Sequence, residues 1–412
     1  MKKLLSLCLI PALLLSLTAC GGSSARDLTR GVTPQPLSAE TALTAEEHIA
    51  VTDFALRLLR ACEDGETSTL LSPLSVLCAL GMTANGAAGE TKREMEAALG
   101  MTCGELNRYL GAYLQQLGGS DRVQFHAANS IWLRDDERFT AEQDFLQTNA
   151  DYYGAAVYAA PFDDTTARQI NRWVKRSTDG MIDGAVQTIP DTAVAYLINA
   201  LAFEAEWLDI YEKTQVHPGT FTCADGTAVE AEFMHSAEDF YLSCDSAEGF
   251  LKPYKDTKYA FAALLPREGT TVSECLAALD GTTLQQMLAR PERGEVVAAM
   301  PKFELEGGCE LSEALQALGI EAAFDADRAD FSALGSSAEG NLFLSRVLHK
   351  TYLSVAEKGT KAGAVTVVAV GDGAAPPSEI HYVTLDRPFL CLLVDCETGT
   401  PFFIGTVMIV KN

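Results

Sequence analysis

The chain has 412 residues, 48% of them hydrophobic and 21% charged, with a mean hydropathy of +0.06. That balance excludes a disordered polymer and supplies apolar side chains for a large core. With 31 basic against 56 acidic residues the formal net charge is −25, which argues against nucleic acid as a partner, because a polyphosphate needs a basic face.

In chain order, the first element is a targeting segment. Lys2 and Lys3 form a basic start, and Leu4 to Leu17 is an apolar run too short for a comfortable membrane span. "LTAC", Leu17 to Cys20, followed by "GGSS", resembles a bacterial lipobox, in which the cysteine becomes the lipidated first residue. The expectation is a signal peptide over residues 1–19 and a lipid on Cys20. The protein is then exported and held at the cell membrane through that lipid only, facing the extracytoplasmic or extracellular side. An ordinary secretory signal cleaved nearby is the alternative. Residues 20–43 are polar, contain Pro and Gly, and read as a flexible tether. Setting Cys8 and Cys20 aside leaves nine of the 11 cysteines, an odd and scattered set with no CxxC pair, which reads as buried thiols.

The globular part, residues 44–412, opens on "TAEE", a capping box at Thr44, after which Ile49, Ala50, Phe54, Leu58 and Leu59 recur at helical spacing. Similar boxes are predicted at Thr91 ("TKRE", its helix ending at Gly100) and Thr140 ("TAEQ"). Ser72-Pro73 reads as an N-cap followed by proline at the first helical position. Strand-like runs follow at Val123 to Leu133, Val194 to Trp207, Tyr259 to Pro266 and "VVAAMPKFEL". "FLCLLVDCETGTPFFIGTVMIV" reads as two apolar strands joined by a turn. Helices dominate the first half and strands the second, with no repeat and no internal linker. One large α+β domain is the expectation.

Motifs for chemistry are missing. The histidines, His48, His126, His217, His235, His349 and His381, form no HExxH and pair with no cysteine at zinc spacing. No GxSxG, Walker loop, GxGxxG or SxxK occurs. "DADRAD" at Asp325 to Asp330 lacks the glycine and terminal glutamate of a calcium loop. No metal, no cofactor and no enzymatic activity are expected.

Several ordered stretches resemble the serpin family. These are "LSPLSVLCALGMTANGAAGETKREM" from Leu71, "ANSIWL", "FLQTNADYYGAAVYAAPF", "INRWVKRSTDGMI" and "LINALAFEAEW". After them come "MPKFELE", "LQALGIEAAFDADRADFSAL", "SRVLHKTYLSVAEKGTKAGA", "LDRPFLCLLV" and "ETGTPFFIGTV". The resemblance runs from about residue 45 to the end. It implies a single domain of three β-sheets and about nine helices with an exposed C-terminal reactive loop, about 357–386. It also implies a mechanism: a serine protease cleaves the loop, is held as an acyl-enzyme, and the loop inserts into the central sheet. The target protease is then a covalent partner and this chain a monomer.

The resemblance assigns positions residue by residue. Glu357, Gly359, Thr360, Ala362, Gly363 and Ala364 match the loop hinge, where small side chains let the chain slip between paired strands. Lys361 stands where an acid is usual, and Val365 is bulkier than usual. Strand alternation places Thr360, Ala362, Ala364 and Thr366 on one face and Lys361 on the other, where it would meet water. Thr360 to Ala374 spans roughly 46 Å as extended strand. The scissile bond falls after Gly373, Ala374 or, further back, Val370; Ala375 is also a candidate but precedes proline. No Lys or Arg occurs from Ala362 to Asp386, so the context suits elastase-like or subtilisin-like proteases. Ser72, Ser75, Asn199 and His349 match the polar "shutter" beneath the central strands. Trp207, Lys302 and Glu357 match the "breach" where the loop enters, although "FEAEWLDIY" is acidic where basic residues are usual. The alternative function is a non-inhibitory serpin, a carrier or chaperone-like binding protein, which a rigid or bulky hinge would favour.

Overall fold

The structure is a computed structural model that describes residues 25–37, 42–117, 122–135, 139–180, 184, 186–190, 193–337, 340–360 and 379–410. After a short strand β1 (Arg26–Asp27) comes α1 (Ala45–Cys62). The Thr44 hydroxyl accepts from the Glu47 amide while Glu47 reaches back, as its sequence predicts. Strand β2 (Thr69–Leu71) leads into α2 (Pro73–Ala84), with Ser72 as cap and Pro73 in the first turn. Every residue of α2 is buried, because it touches β-strands of two different sheets. Helices α3 (Gly89–Leu99) and α4 (Cys103–Gln116) follow, the first ended by Gly100 in the left-handed region.

Two expected capping boxes are absent. Helix α3 starts at Gly89, so Thr91 lies inside its first turn, and its hydroxyl accepts the Asp330 amide instead. After β3 (Val123–Arg134), Thr140 belongs to the two-residue strand β4 (Thr140–Ala141), and α5 (Gln143–Tyr153) begins beyond it. In both places a partner far along the chain takes the residue that local sequence offered as a cap. Capping boxes do head α4, at Thr102, and a later helix, at Thr271.

The chain continues through β5 (Ala156–Ala160), α6 (Asp164–Ser177), β6 (Ala195–Glu206), β7 (Val216–Thr222), β8 (Ala228–Ser243), β9 (Ala247–Pro253) and β10 (Tyr259–Pro266). Then come α7 (Val272–Ala278), α8 (Gly281–Ala289), β11 (Glu292–Pro301), β12 (Phe303–Glu310), α9 (Ser312–Ala317) and β13 (Gly335–Ser336). Strands β14 (Arg346–Ala356), β15 (Gly359–Thr360), β16 (Ile380–Thr384), β17 (Phe389–Asp395) and β18 (Pro401–Val407) complete it. The last two form the hairpin read from sequence. Gly399 in its turn has φ +67°, and a Cβ there would lie 2.5 Å from the Gln285 carbonyl.

The strands form three sheets: seven-stranded (β1-β5-β3-β6-β15-β14-β12), nine-stranded (β16-β11-β8-β9-β10-β17-β18-β2, with β7 on β8) and two-stranded (β13-β4). With nine α-helices among the described residues, the α+β expectation holds. One apolar core fills the space around α1 and α2. A second, on the far face of the seven-stranded sheet, seats Ile170 and Val174 of α6 against Trp132, Tyr196 and Ile198. Part of the stretch expected to be a free tether is tied down. Arg26 and Asp27 pair with Ala159 and Tyr158, covering the edge of β5, and the Gln35 amide donates to Asp151. Among the cysteines whose side chains are described, Cys78, Cys103, Cys223, Cys275 and Cys391 are buried free thiols.

Candidate functional site: the seam between β6 and β14

The centre of the seven-stranded sheet changes character along its length. From Tyr196/Arg346 to Ala200/Lys350, β6 and β14 pair directly and in parallel. Further up they part, and β15 lies between them, antiparallel to both. Thr360 sits opposite Ala205 and Val355, and Gly359 opposite Glu206 and Ala356. The chain therefore leaves β14, turns through Glu357 and Lys358, and re-enters the same sheet as a two-residue strand.

The sequence at that strand fits its position. Gly359 has φ +151°, and a Cβ would stand 2.0 Å from the Ala205 carbonyl oxygen. Only glycine can lie so close to β6. Thr360 is fully buried, with its hydroxyl 2.5 Å from that of Tyr254. It faces the core, as the alternation predicts.

Trp207 is buried beneath the turn, stacked on Tyr254 at 4.6 Å with 7° between the rings. Its indole N–H donates to the Ala356 carbonyl at 2.8 Å, and its backbone N–H to Lys358 at 2.9 Å. The Tyr211 amide donates to the Glu357 carbonyl at 2.9 Å. Above, the Lys302 ammonium pairs with Glu357 and, at 2.7 Å, with Glu232. Partial burial pulls the Lys302 pKa down, but the hydrogen bonds it donates to the two carboxylates, with their charges, outweigh it and hold the group above its ordinary value. For Glu357 burial pushes up, but the Lys302 bond and charge, its own backbone amide and the Lys358 charge together outweigh it, so its carboxyl lies below the usual range. Trp207, Lys302 and Glu357, the residues expected at the breach, are thus brought together. Within the acidic neighbourhood, Glu206 pairs with Arg122.

Lower in the seam, the alternation of β14 turns His349 inward. Its Nε2 accepts the Ser72 amide at 2.9 Å, which places the ring proton on Nδ1. The Ser72 hydroxyl donates to the Phe402 carbonyl at 2.9 Å and accepts the Ser75 amide at 3.3 Å. Burial alone lowers the His349 pKa to about 4, so the ring is neutral. Among the described residues, His349 Nδ1 and Ser75 Oγ have no hydrogen-bond partner. Asn199 stands opposite His349 in the strand register, and its side chain is outside the described part of the structure. Lys361, Ala362, Gly363, Ala364, Val370, Gly373, Ala374 and Ala375 also lie outside the described residues, as does Cys20.

Sequence reasoning missed the floor of the breach. Lys252 and Glu238 form a buried ion pair at 2.8 Å, and the ammonium sits 4.5 Å from the Tyr211 ring centroid and 5.6 Å from that of Trp207. Ser236 adds a 2.6 Å hydrogen bond to Glu238. A lone lysine in the apolar run "GFLKPY" was the available signal, because a buried ammonium needs an acid and here also meets rings.

The profile of the Serpin (serine protease inhibitor) family matches residues 49–410. Serpin-Z2B of Triticum aestivum is 30% identical over 383 residues, spanning 87% of this chain and 94% of its own. The crystal structure of the thermophilic serpin tengpin in its native state is 41% identical with a TM-score of 0.89, covering 94% of this chain and all of that one. The latent-state structure of tengpin, at the same identity, covers 90% of this chain and all of that one and superposes less well, with a TM-score of 0.80. Human thyroxine-binding globulin shares the fold alone, at 24% identity and a TM-score of 0.78 over 89% of this chain and 99% of that one. Ordered motifs, sheet topology and these likenesses agree: the chain belongs to the serpin family.

Proposed function

We propose that this serpin inhibits extracellular serine proteases as a suicide substrate. The observation that carries the proposal is β15. The first hinge residues, Gly359 and Thr360, lie between β6 and β14, in line with the seam that a longer inserted strand would open. The strands below them are still paired, so a zipper has its first teeth engaged and the rest closed. The protease serine attacks the loop carbonyl, the amine of the downstream residue leaves with a proton, and the ester remains on the protease. The catalytic groups belong to the protease. This chain supplies the bait and the sheet. Beyond Thr360 the hinge positions Ala362, Gly363 and Ala364 are small in sequence, which favours fast insertion and argues for trapping over a carrier role.

The loop composition supports elastase-like or subtilisin-like targets, with cleavage at Gly373, Ala374, Ala375 or Val370. The "LTAC" motif supports export and a lipid on Cys20, which would put a monomeric inhibitor at the cell surface. The mature protein is incubated with pancreatic elastase and with subtilisin and run on denaturing gels. A covalent complex that survives detergent is the expected result. Clean cleavage without complex would reject trapping and favour the carrier reading.

A further inference from the structure

Helix α6 differs in charge from the rest of the chain. In a molecule with 31 basic and 56 acidic residues, the stretch from Ala167 to Ser177 holds four cations and no acid. Arg168, Arg172, Lys175 and Arg176 are all exposed, whereas Thr166, Ala167, Ile170 and Val174 are buried on the side that meets the sheet. At 3.6 residues per turn the four cations fall in a stripe about 100° wide. The nearest acids in sequence are Asp163 and Asp164 at the start of the helix and Asp179 after its end. The amino-terminal segment meets the body at the same place. The Ala25 amide donates to the Gln169 side chain at 3.2 Å, and Ala25 packs on the same apolar cluster as Ile170 and Val174. Strand β1 then fixes Arg26 and Asp27 to β5. Residues 21–24 are all that separates Ala25 from Cys20, a reach of at most about 18 Å at full extension.

We infer that the outer face of α6 docks on an anionic lipid surface and seats the body of the chain on the membrane. The inference rests on the reading of Cys20 as the lipidated residue. Two observations select the membrane as the occupant. The anchor is close: an acyl chain on Cys20 enters the bilayer within about 18 Å of Ala25, which is bonded to Gln169 in the middle of the cationic stretch. From Arg168 to Arg176 the stripe runs only about 12 Å along the helix axis. The charge is complementary as well. A body of net charge −25 is repelled by anionic headgroups, so the side that touches them is the one where cations gather without acids. A lipid by itself leaves the body free to swing on its tether, and the cationic stripe supplies the second contact. Three of the four cations are arginines, whose forked donors match a lipid phosphate.

The test uses the lipidated mature chain, purified in detergent and placed in vesicles of phosphatidylcholine, alone or with one-third phosphatidylglycerol. Phenylglyoxal modification of each arginine is followed by mass spectrometry, with exposed Arg293 of the nine-stranded sheet as internal control. The expected result is modification of Arg168, Arg172 and Arg176 at least threefold slower with phosphatidylglycerol, Arg293 unchanged, and the difference abolished by half-molar salt. In the variant Arg172→Glu/Arg176→Glu, Arg168 should react at one rate on both vesicles, with the melting temperature unchanged. Should that variant melt lower, the native chain on its two vesicles and its salt dependence still decide. Equal rates for the native chain on both vesicles overturn the inference while leaving the anchor intact. If both are slow, the short tether or a second copy of the acidic chain covers the face without charged lipid. If both are fast and only added polyglutamate slows them, the face takes an acidic protein. Slowing of Arg293 to the same degree, or protection of Arg168 that persists in a folded variant, also overturns it. A purified chain whose mass shows no diacylglyceryl group on Cys20 rejects the anchor reading, and the docking face with it.

Discussion

The top of the central seam and its middle differ in what holds them. At the top, β6 and β14 are apart, and the groups that meet the returning chain are paired: Thr360 with Tyr254, Trp207 with Ala356 and Lys358, Lys302 with Glu357. About 17 Å lower along the strands, β6 and β14 hold each other directly, and there His349 Nδ1 and Ser75 Oγ are buried without partners among the described residues. An unmet buried polar atom costs about 1–3 kcal/mol. Among the described residues, the open end is therefore satisfied and the closed middle is not. That ordering suits a sheet that accepts two residues at rest and admits more only when a longer strand is released.

The most drastic way to break this comparison is Thr360→Arg. A guanidinium cannot occupy the closed site against Tyr254, so insertion should stop at its first step. The expected result is at least a tenfold rise in stoichiometry, with cleaved serpin replacing the covalent band on a denaturing gel. Trapping at unchanged stoichiometry would show that Gly359–Thr360 is not the hinge.

Gly359→Val should act next most strongly and only at the top. The added side chain meets the Ala205 carbonyl in a backbone conformation that valine avoids, at a cost of about 1–3 kcal/mol. Amide exchange at Thr360 should quicken tenfold or more, while that of residues 196–200 and 346–350 stays as it was. Faster exchange at both levels would mean that the two ends of the seam open as one unit.

His349 sharpens the comparison through pH. Its folded pKa, about 4, lies below the ordinary 6.5. Between those values the unfolded chain binds the proton and the native chain does not. Its contribution to stability is thus full above pH 6.5 and is lost as pH falls toward 4, by at most about 1.4 kcal/mol per pH unit. Denaturant midpoints across that window should fall less steeply for His349→Asn. A slope as steep in the variant would assign the acid sensitivity to other groups.

Glu357→Gln should have the smallest effect. The Lys302 pair is partly solvent-exposed, and exposed pairs contribute about 0–1 kcal/mol. A melting shift of no more than about 2 °C is expected, together with faster exchange at Thr360. A much larger loss of stability would make the ion pair, and not the Trp207–Tyr254 floor, the main support of the top.

Much of this was legible in sequence because it is local or carried by ordered motifs. The Thr44 box, the Ser72-Pro73 start, the β17–β18 hairpin and the inward face of Thr360 follow from spacing and alternation. Ser72 and His349 were matched to one site although they are far apart in the chain. The rest depends on contacts that spacing cannot express. Thr91 and Thr140 have the local chemistry of caps but are claimed by Asp330 and by strand β13. Lys252 and Glu238 meet only because β9 folds back on β8. Residues 26–27 look like solvated tether, yet the open edge of β5 gives their backbone partners.

The central claim is that the cleaved loop becomes a strand between β6 and β14. Thermal unfolding before and after cleavage of the loop tests it most directly. About ten new backbone hydrogen bonds at roughly 1 kcal/mol each should raise the melting temperature by something on the order of 10–20 °C. An unchanged or lower midpoint after complete cleavage would contradict insertion.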